Sequence, residues 1–208
     1  MQLMGDRLNY FESLDYRDPG RFLSRLLVLS DEVAKSDLPP RVRNLRTNSL
    51  KTVREMRQAA LFCYGMSFHI GTSVYVAIDE AQDHDAVAMW DLTDGRHFRA
   101  FQLKEVVPSH LNPRASVQAV VDGLTKYADS KDICVAIYVN QRTRFEPASL
   151  KIPPLRVGEI WVFGSISDDQ SRWFMCGDLM SSEPVMIQFD HPPALDDPSR
   201  WPEEAVNE

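Results

Sequence analysis

Seven consecutive residues without a charge, Ile133 to Val139, constrain this chain more than any other segment. Alternating polar and apolar residues would mark a strand with one wet face. An unbroken apolar run of this length marks a strand covered on both faces, which requires layers above and below its sheet. The residues before it supply one layer: Val117, Val120, Val121 and Leu124 fall on one stripe of a helix that Asn112 and Pro113 are expected to cap. A strand, helix, strand run of this kind closes as a crossover, so the sheet is mixed.

Upstream, Thr52 to Met66 reads as a helix with Val53, Met56, Ala60 and Cys63 on one stripe and Gly65 and Gly71 ending it. Strands follow at Ser73 to Ile78, Asp85 to Asp91 and Phe98 to Val106, with Asp94-Gly95 as a hairpin turn between the last two. Glu159 to Ser165, Arg172 to Cys176 and Val185 to Phe189 are further strands, the first two separated by the turn at Asp168 to Gln170. The class is α/β (α+β), a mixed β-sheet flanked by helices, with core order α-β-β-β-α-β. Residues 1–50 are expected to be an N-terminal helical extension, with a helix from Arg21 to Ala34. Residues 51–190 form the α/β core with additional C-terminal strands. Residues 191–208 form an acidic, proline-rich tail.

No apolar run approaches the roughly 18 residues that span a bilayer, and no signal-like segment opens the chain, so the expected location is cytoplasmic with no membrane partner. Cys63, Cys134 and Cys176 are odd in number and lie in apolar stretches, as buried free thiols do. The net charge of −7 would count against nucleic acid binding if it were evenly spread. It is not: Glu183 to Glu208 carries −6, which leaves −1 for the rest of the chain. Arg41, Arg43, Arg46, Lys51, Arg54 and Arg57 crowd into seventeen positions whose only acid is Glu55. That segment is the candidate grip on a phosphate backbone, and the acidic tail is the candidate contact for a protein partner.

The hairpin places side chains relative to one another. With Asp94 and Gly95 as the two loop residues, Asp85 lies opposite Lys104 and Val87 opposite Gln102. Opposed residues point to one face with Cβ atoms about 5 Å apart. Asp85, Gln102 and Lys104 therefore converge. Glu55, at 100° per residue, falls within about 40° of Ala59, Phe62 and Met66 at the edge of the apolar face of the first core helix, from which its carboxylate could reach the same place. The remaining polar features are weaker: Asp79, Glu80, Asp83 and His84 form an acidic turn before Asp85 that could add a metal ligand but reads first as a solvated loop, and His69, His97, His110 and His191 lack ligand spacing. No nucleophile elbow or phosphate-cradling glycine loop occurs. Trp90, Trp161 and Trp173 read as core or sheet-face residues.

Taken together, Glu55 on a helix, a strand, Asp85 on a second strand, Gln102-Leu103-Lys104 on a third, then a helix and a strand resemble the PD-(D/E)XK nuclease superfamily over about Thr52 to Asn140. Gln at the middle position looks like the Mrr-type variant, and His84 stands where that motif carries proline. The resemblance implies a restriction endonuclease-like fold and metal-dependent hydrolysis of phosphodiester bonds, with DNA as the substrate. Asp85, Gln102, Lys104 and Glu55 would be the catalytic set. Asp85, the Gln102 amide and the Leu103 carbonyl would hold Mg²⁺ (or Mn²⁺), a hard cation that takes oxygen donors. Lys104 would stabilise charge developing on the phosphate, and cutting both strands of a duplex would favour a homodimer. A nuclease fold lacking the acid at the middle position would instead serve as an inactive module that binds nucleic acid or protein.

Overall fold

The computed structural model describes residues 2–35, 37, 51–79, 84–126, 130–141 and 145–194. Among these, α1 (Gln2–Glu12), α2 (Pro19–Ala34), α3 (Lys51–Ile70) and α4 (Val117–Gly123) surround one seven-stranded sheet. Its strands are β1 (Val74–Ile78), β2 (Ala86–Leu92), β3 (Gly95–Val106), β4 (Ser130–Val139), β5 (Val157–Ser165), β6 (Arg172–Gly177) and β7 (Val185–Asp190). They lie side by side in chain order. The pairs β3–β4 and β4–β5 are parallel and every other pair is antiparallel, so the sheet is mixed as expected.

Both faces of β4 are dry. Cys134, Ala136 and Tyr138 join the core beneath α3, together with Phe62, Phe101, Phe163 and Trp173. Val135, Ile137 and Val139 join the core beneath α4, together with Val117, Val121 and Leu124. A chargeless strand thus separates two hydrophobic layers, and the helices that close them sit on opposite faces. The N-terminal segment closes a third cluster, with Phe11 and Tyr16 packing on Ala77, Val87, Met89 and Ala100. Arg17 bridges to Val76 through two backbone hydrogen bonds of 2.9 and 3.0 Å, which covers part of the β1 edge.

Two boundary expectations fail for identifiable reasons. Asn112 does not cap α4; its side chain accepts from the Arg114 N–H at 3.0 Å within the preceding turn. The N-cap is Ser116, whose backbone is extended and whose Oγ accepts from the Ala119 N–H at 3.1 Å. Nor does Gly65 end α3, which runs on to Ile70 and stops at Gly71, where φ is +80°. Gly65 is a packing residue: a Cβ there would come within 2.6 Å of Met175 Cε and 2.7 Å of Phe189 Cε1.

Gly65→Ala therefore sets a gain in helix propensity of about 1 kcal/mol against overpacking that costs about 1 to 3 kcal/mol. The expected outcome is a protein destabilised by up to about 2 kcal/mol, seen as a lower urea midpoint at constant slope. A raised midpoint would mean that α3 does not press on β6 and β7.

Candidate functional site

The β2–β3 hairpin turns through Thr93 and Asp94, since Leu92 pairs with Gly95. A turn centred on Asp94 and Gly95 would demand positive φ at both residues. Only Gly95 adopts it, at +131°. Every pairing is displaced by two residues from the expected register: Val87 faces Ala100, Ala86 faces Phe101, and the expected partners Asp85–Lys104 and Val87–Gln102 do not form. A displacement of two preserves which face each strand residue takes.

Asp85 itself breaks the strand pattern. Its carbonyl accepts from the Asp79 N–H at 3.2 Å on the β1 side, while its N–H donates to the Phe101 carbonyl at 3.0 Å on the β3 side. In a regular strand both groups of one residue point the same way. Because Ala86 is already paired with Phe101, Asp85 and Ala86 stand together against one residue, the arrangement of a β-bulge. The bulge re-aims the Asp85 side chain along the edge of β3, where Oδ2 accepts from the Leu103 N–H at 2.7 Å. No described strand pairs with β3 at that point on the β2 side, so the Leu103 carbonyl, which shares the orientation of its N–H, opens on the same edge as Asp85.

Gln102 and Lys104 flank Leu103 and alternate to the α4 face, paired with Val135 and Ile137 of β4. Both are half-buried. The structure thus brings Asp85 against the Gln102-Leu103-Lys104 segment, but through the middle residue's backbone rather than by facing Lys104. Glu55 is bound within its own helix, 3.4 Å from Lys51 Nζ. Arg57 donates to Gln170 at 2.6 Å and lies 5.6 Å over the Trp173 ring. Arg41, Arg43 and Arg46 lie outside the described residues, as does nearly all of the acidic tail. Among the described residues no three His, Cys, Asp or Glu side chains gather closely enough to hold a metal by themselves.

One polar cluster contradicts the expectation of a solvated turn. Asp79 and His84 are only 5% and 4% exposed, and His84 Nε2 lies 2.8 Å from Asp79 Oδ2. Tyr10 of α1 donates to Asp79 Oδ1 at 2.9 Å, and that bond, with desolvation, raises the phenol above its usual pKa. Phe11 sets its ring edge-on to His84 at 5.8 Å. The cluster adjoins Asp85 in sequence and ties α1 to the end of the β1–β2 hairpin. Its signal in the sequence was long-range, since nothing near Asp79 announces a partner in α1. The three cysteines are buried and free, and burial pushes their thiols upward, away from nucleophilic use.

An open cleft of about 660 Å³ lies at the carboxyl ends of β4 and β5. Asn140, Ser165, Ser167, Asp168, Gln170 and Gln188 give it a polar lining, with no basic side chain among the described residues. Comparison with protein-family models, with curated proteins and with solved structures finds no match to this chain. Function therefore has to be argued from the residues themselves. No helix among the described residues is long and apolar enough to cross a membrane.

The buried cluster yields a stability test. His84→Ala removes one buried partner of the Asp79 carboxylate, and a loss of about 3 kcal/mol is expected in chemical denaturation. Tyr10→Phe should speed amide hydrogen exchange in α1 while leaving β4 protected. Equal protection of α1 in wild type and Tyr10→Phe would show that the Tyr10–Asp79 bond does not anchor the helix.

Proposed function

We propose that this chain is a metal-dependent nuclease of the PD-(D/E)XK kind with a restriction endonuclease-like core, acting on DNA phosphodiester bonds at the open edge of β3. The observation that carries the reading is the bulge at Asp85, which sets a carboxylate and the Leu103 carbonyl side by side between Gln102 and Lys104. The order helix, three strands, helix, strand, with α3 and α4 on opposite faces of a mixed sheet, agrees with it.

The donors fit a weakly held hard cation. One carboxylate oxygen, one backbone carbonyl and one neutral amide are few, but Mg²⁺ commonly keeps several waters and binds through one or two carboxylates. When bound, Mg²⁺ or Mn²⁺ supplies Lewis-acid polarisation of the phosphate. Asp85 is the anionic ligand, with Oδ2 fixed by Leu103 N–H so that the remaining lone pairs are presented in one direction. The Lys104 ammonium stabilises charge that grows on the phosphate oxygens. Arg41, Arg43, Arg46, Lys51, Arg54 and Arg57 hold the backbone of the duplex, and a homodimer acting in the cytoplasm would cut both strands.

A second reading has its own observation. The Asp85 carboxylate already satisfies a backbone N–H, and among the described residues no group of three His, Cys, Asp or Glu side chains gathers to hold a metal. On that basis the chain would be an inactive nuclease-fold module that binds nucleic acid or protein.

Asp85→Asn separates the two, because an amide oxygen still accepts from Leu103 N–H while the charge is gone. In the nuclease reading, Mg²⁺-dependent cleavage falls by about a hundredfold or more in Asp85→Asn and in Lys104→Ala, with thermal unfolding of Asp85→Asn nearly unchanged. Gln102→Glu adds a carboxylate and should lower the Mg²⁺ concentration needed for half-maximal cleavage. Absence of cleavage by wild type and Gln102→Glu across labelled DNA and RNA substrates, with Mg²⁺ and Mn²⁺, would select the inactive module. Changing Arg43, Arg46 and Arg54 together to Ala should weaken DNA binding and flatten its dependence on salt; an unchanged slope in an anisotropy titration would remove that surface from the interface.

A further inference from the structure

A second cavity, of about 390 Å³, lies between the last turns of α3 and the amino ends of β3, β4 and β5. This volume falls within the range of small-molecule sites, about 300 to 1,000 Å³. Its walls are flat and aromatic: Phe62 from α3, Phe101 from β3, Trp90 from β2 and Trp161 from β5. His97 stacks on Trp90 with centroids 5.6 Å apart and planes 14° from parallel, and both rings line the cavity. His69 lies 5.1 Å from the Trp161 ring.

One charged pair faces this aromatic lining. Arg99 donates through Nη2 to Glu159, and the Trp161 indole N–H donates to the other oxygen of Glu159 at 3.0 Å. The pair is held in place: a Cβ on Gly158 would come within 3.0 Å of Arg99 Nη2 and 2.3 Å of the Lys131 carbonyl. Beyond the bond to Glu159 the guanidinium has further N–H donors, and the Arg99 side chain, 33% exposed, lines the cavity, so an acceptor there can reach them.

These observations define a ligand class. Flat walls select a planar ring. A neutralised Arg–Glu pair disfavours a charged ligand, since a carboxylate brought to Arg99 would also face Glu159. A further N–H of the Arg99 guanidinium takes a carbonyl oxygen, and the carboxylate of Glu159, which offers about four acceptor sites, takes an N–H. A carbonyl adjacent to a ring N–H, a lactam edge, satisfies both. We propose that this cavity binds a neutral planar oxo-heterocycle of nucleobase size, its lactam edge on Arg99 and Glu159 and its ring between the aromatic walls. The proposal is independent of the Asp85 edge, which lies further along β3.

The probes are hypoxanthine, which carries the lactam edge, and purine, the same ring system without the oxygen. Tryptophan fluorescence and calorimetry on the whole chain give both affinities. Hypoxanthine should quench fluorescence saturably and bind about tenfold or more tighter than purine, because a site built around hydrogen bonds rejects the analogue that lacks them. Met66→Trp fills the cavity and should abolish binding. Arg99→Met should bring the two probes to similar affinity. Failure of hypoxanthine to bind up to its solubility, equal binding of purine by the wild type, or undiminished binding by a folded Met66→Trp protein would each overturn the assignment. The comparison of the two probes on the unaltered chain stands even if either variant does not fold.

Discussion

Strand β4 is hydrogen-bonded along both edges, to β3 and β5, and covered on both faces, by α3 and by α4. No polar side chain can occupy its middle without the cost of desolvation, and the residues from Cys134 to Val139 include no charged side chain. Polar chemistry is therefore displaced to the two ends of the parallel strands and to the edge where β2 leaves β3. At one end Asn140 donates to Glu105 at 2.7 Å and the open polar cleft begins. At the other, Arg99 and Glu159 face the aromatic cavity. The dry centre is the reason why both places are rigidly held and well separated.

The bulge at Asp85 depends on the same frame. A strand buried on both faces cannot move to accommodate an extra residue, so the irregularity falls where β2 begins and pairing stops. There the carboxylate replaces a missing strand as the acceptor for Leu103 N–H. Immediately beneath it, the buried Asp79–His84 pair and Tyr10 fix the end of the β1–β2 hairpin to α1. The N-terminal helices consequently belong to the same mechanical unit as the candidate site: Leu23 of α2 lies in the core beneath α3, and Phe11 and Tyr16 lie in the cluster behind β2.

Elements with strong periodicity were legible in the sequence, and those set by distant partners were not. The apolar run of β4, the stripe of Val117, Val121 and Leu124, and the alternation of β3 each carry local information about their own burial. The hairpin register required knowing whether Asp94 would accept positive φ, and that is a small energy that local sequence does not decide. The error was even, so Gln102 and Lys104 remained on one face; the bulge, invisible to alternation, is what turned Asp85 into the plane of the sheet. Gly65 looked like a helix stop because glycine is a poor helix former. Its reason for being there is Met175 and Phe189, far along the chain. Asp79 and His84 looked solvated because ionisable residues in turns commonly are, and their burial depends on Tyr10 and Phe11.

The notch at Gly65 also has a bearing on synthesis. Chains emerge from the ribosome amino end first, and units fold as they are completed. Helix α3 is made early, yet the surface that fits its notch belongs to β6 and β7, with Phe68 stacked on Phe189 at 5.6 Å. More than half of the chain separates the two. Until the last strand is released, α3 carries an uncovered aromatic groove on a nascent protein, so the final sheet strand acts as the closing clasp and a chain cut short before it would retain a sticky helix rather than a smaller stable domain.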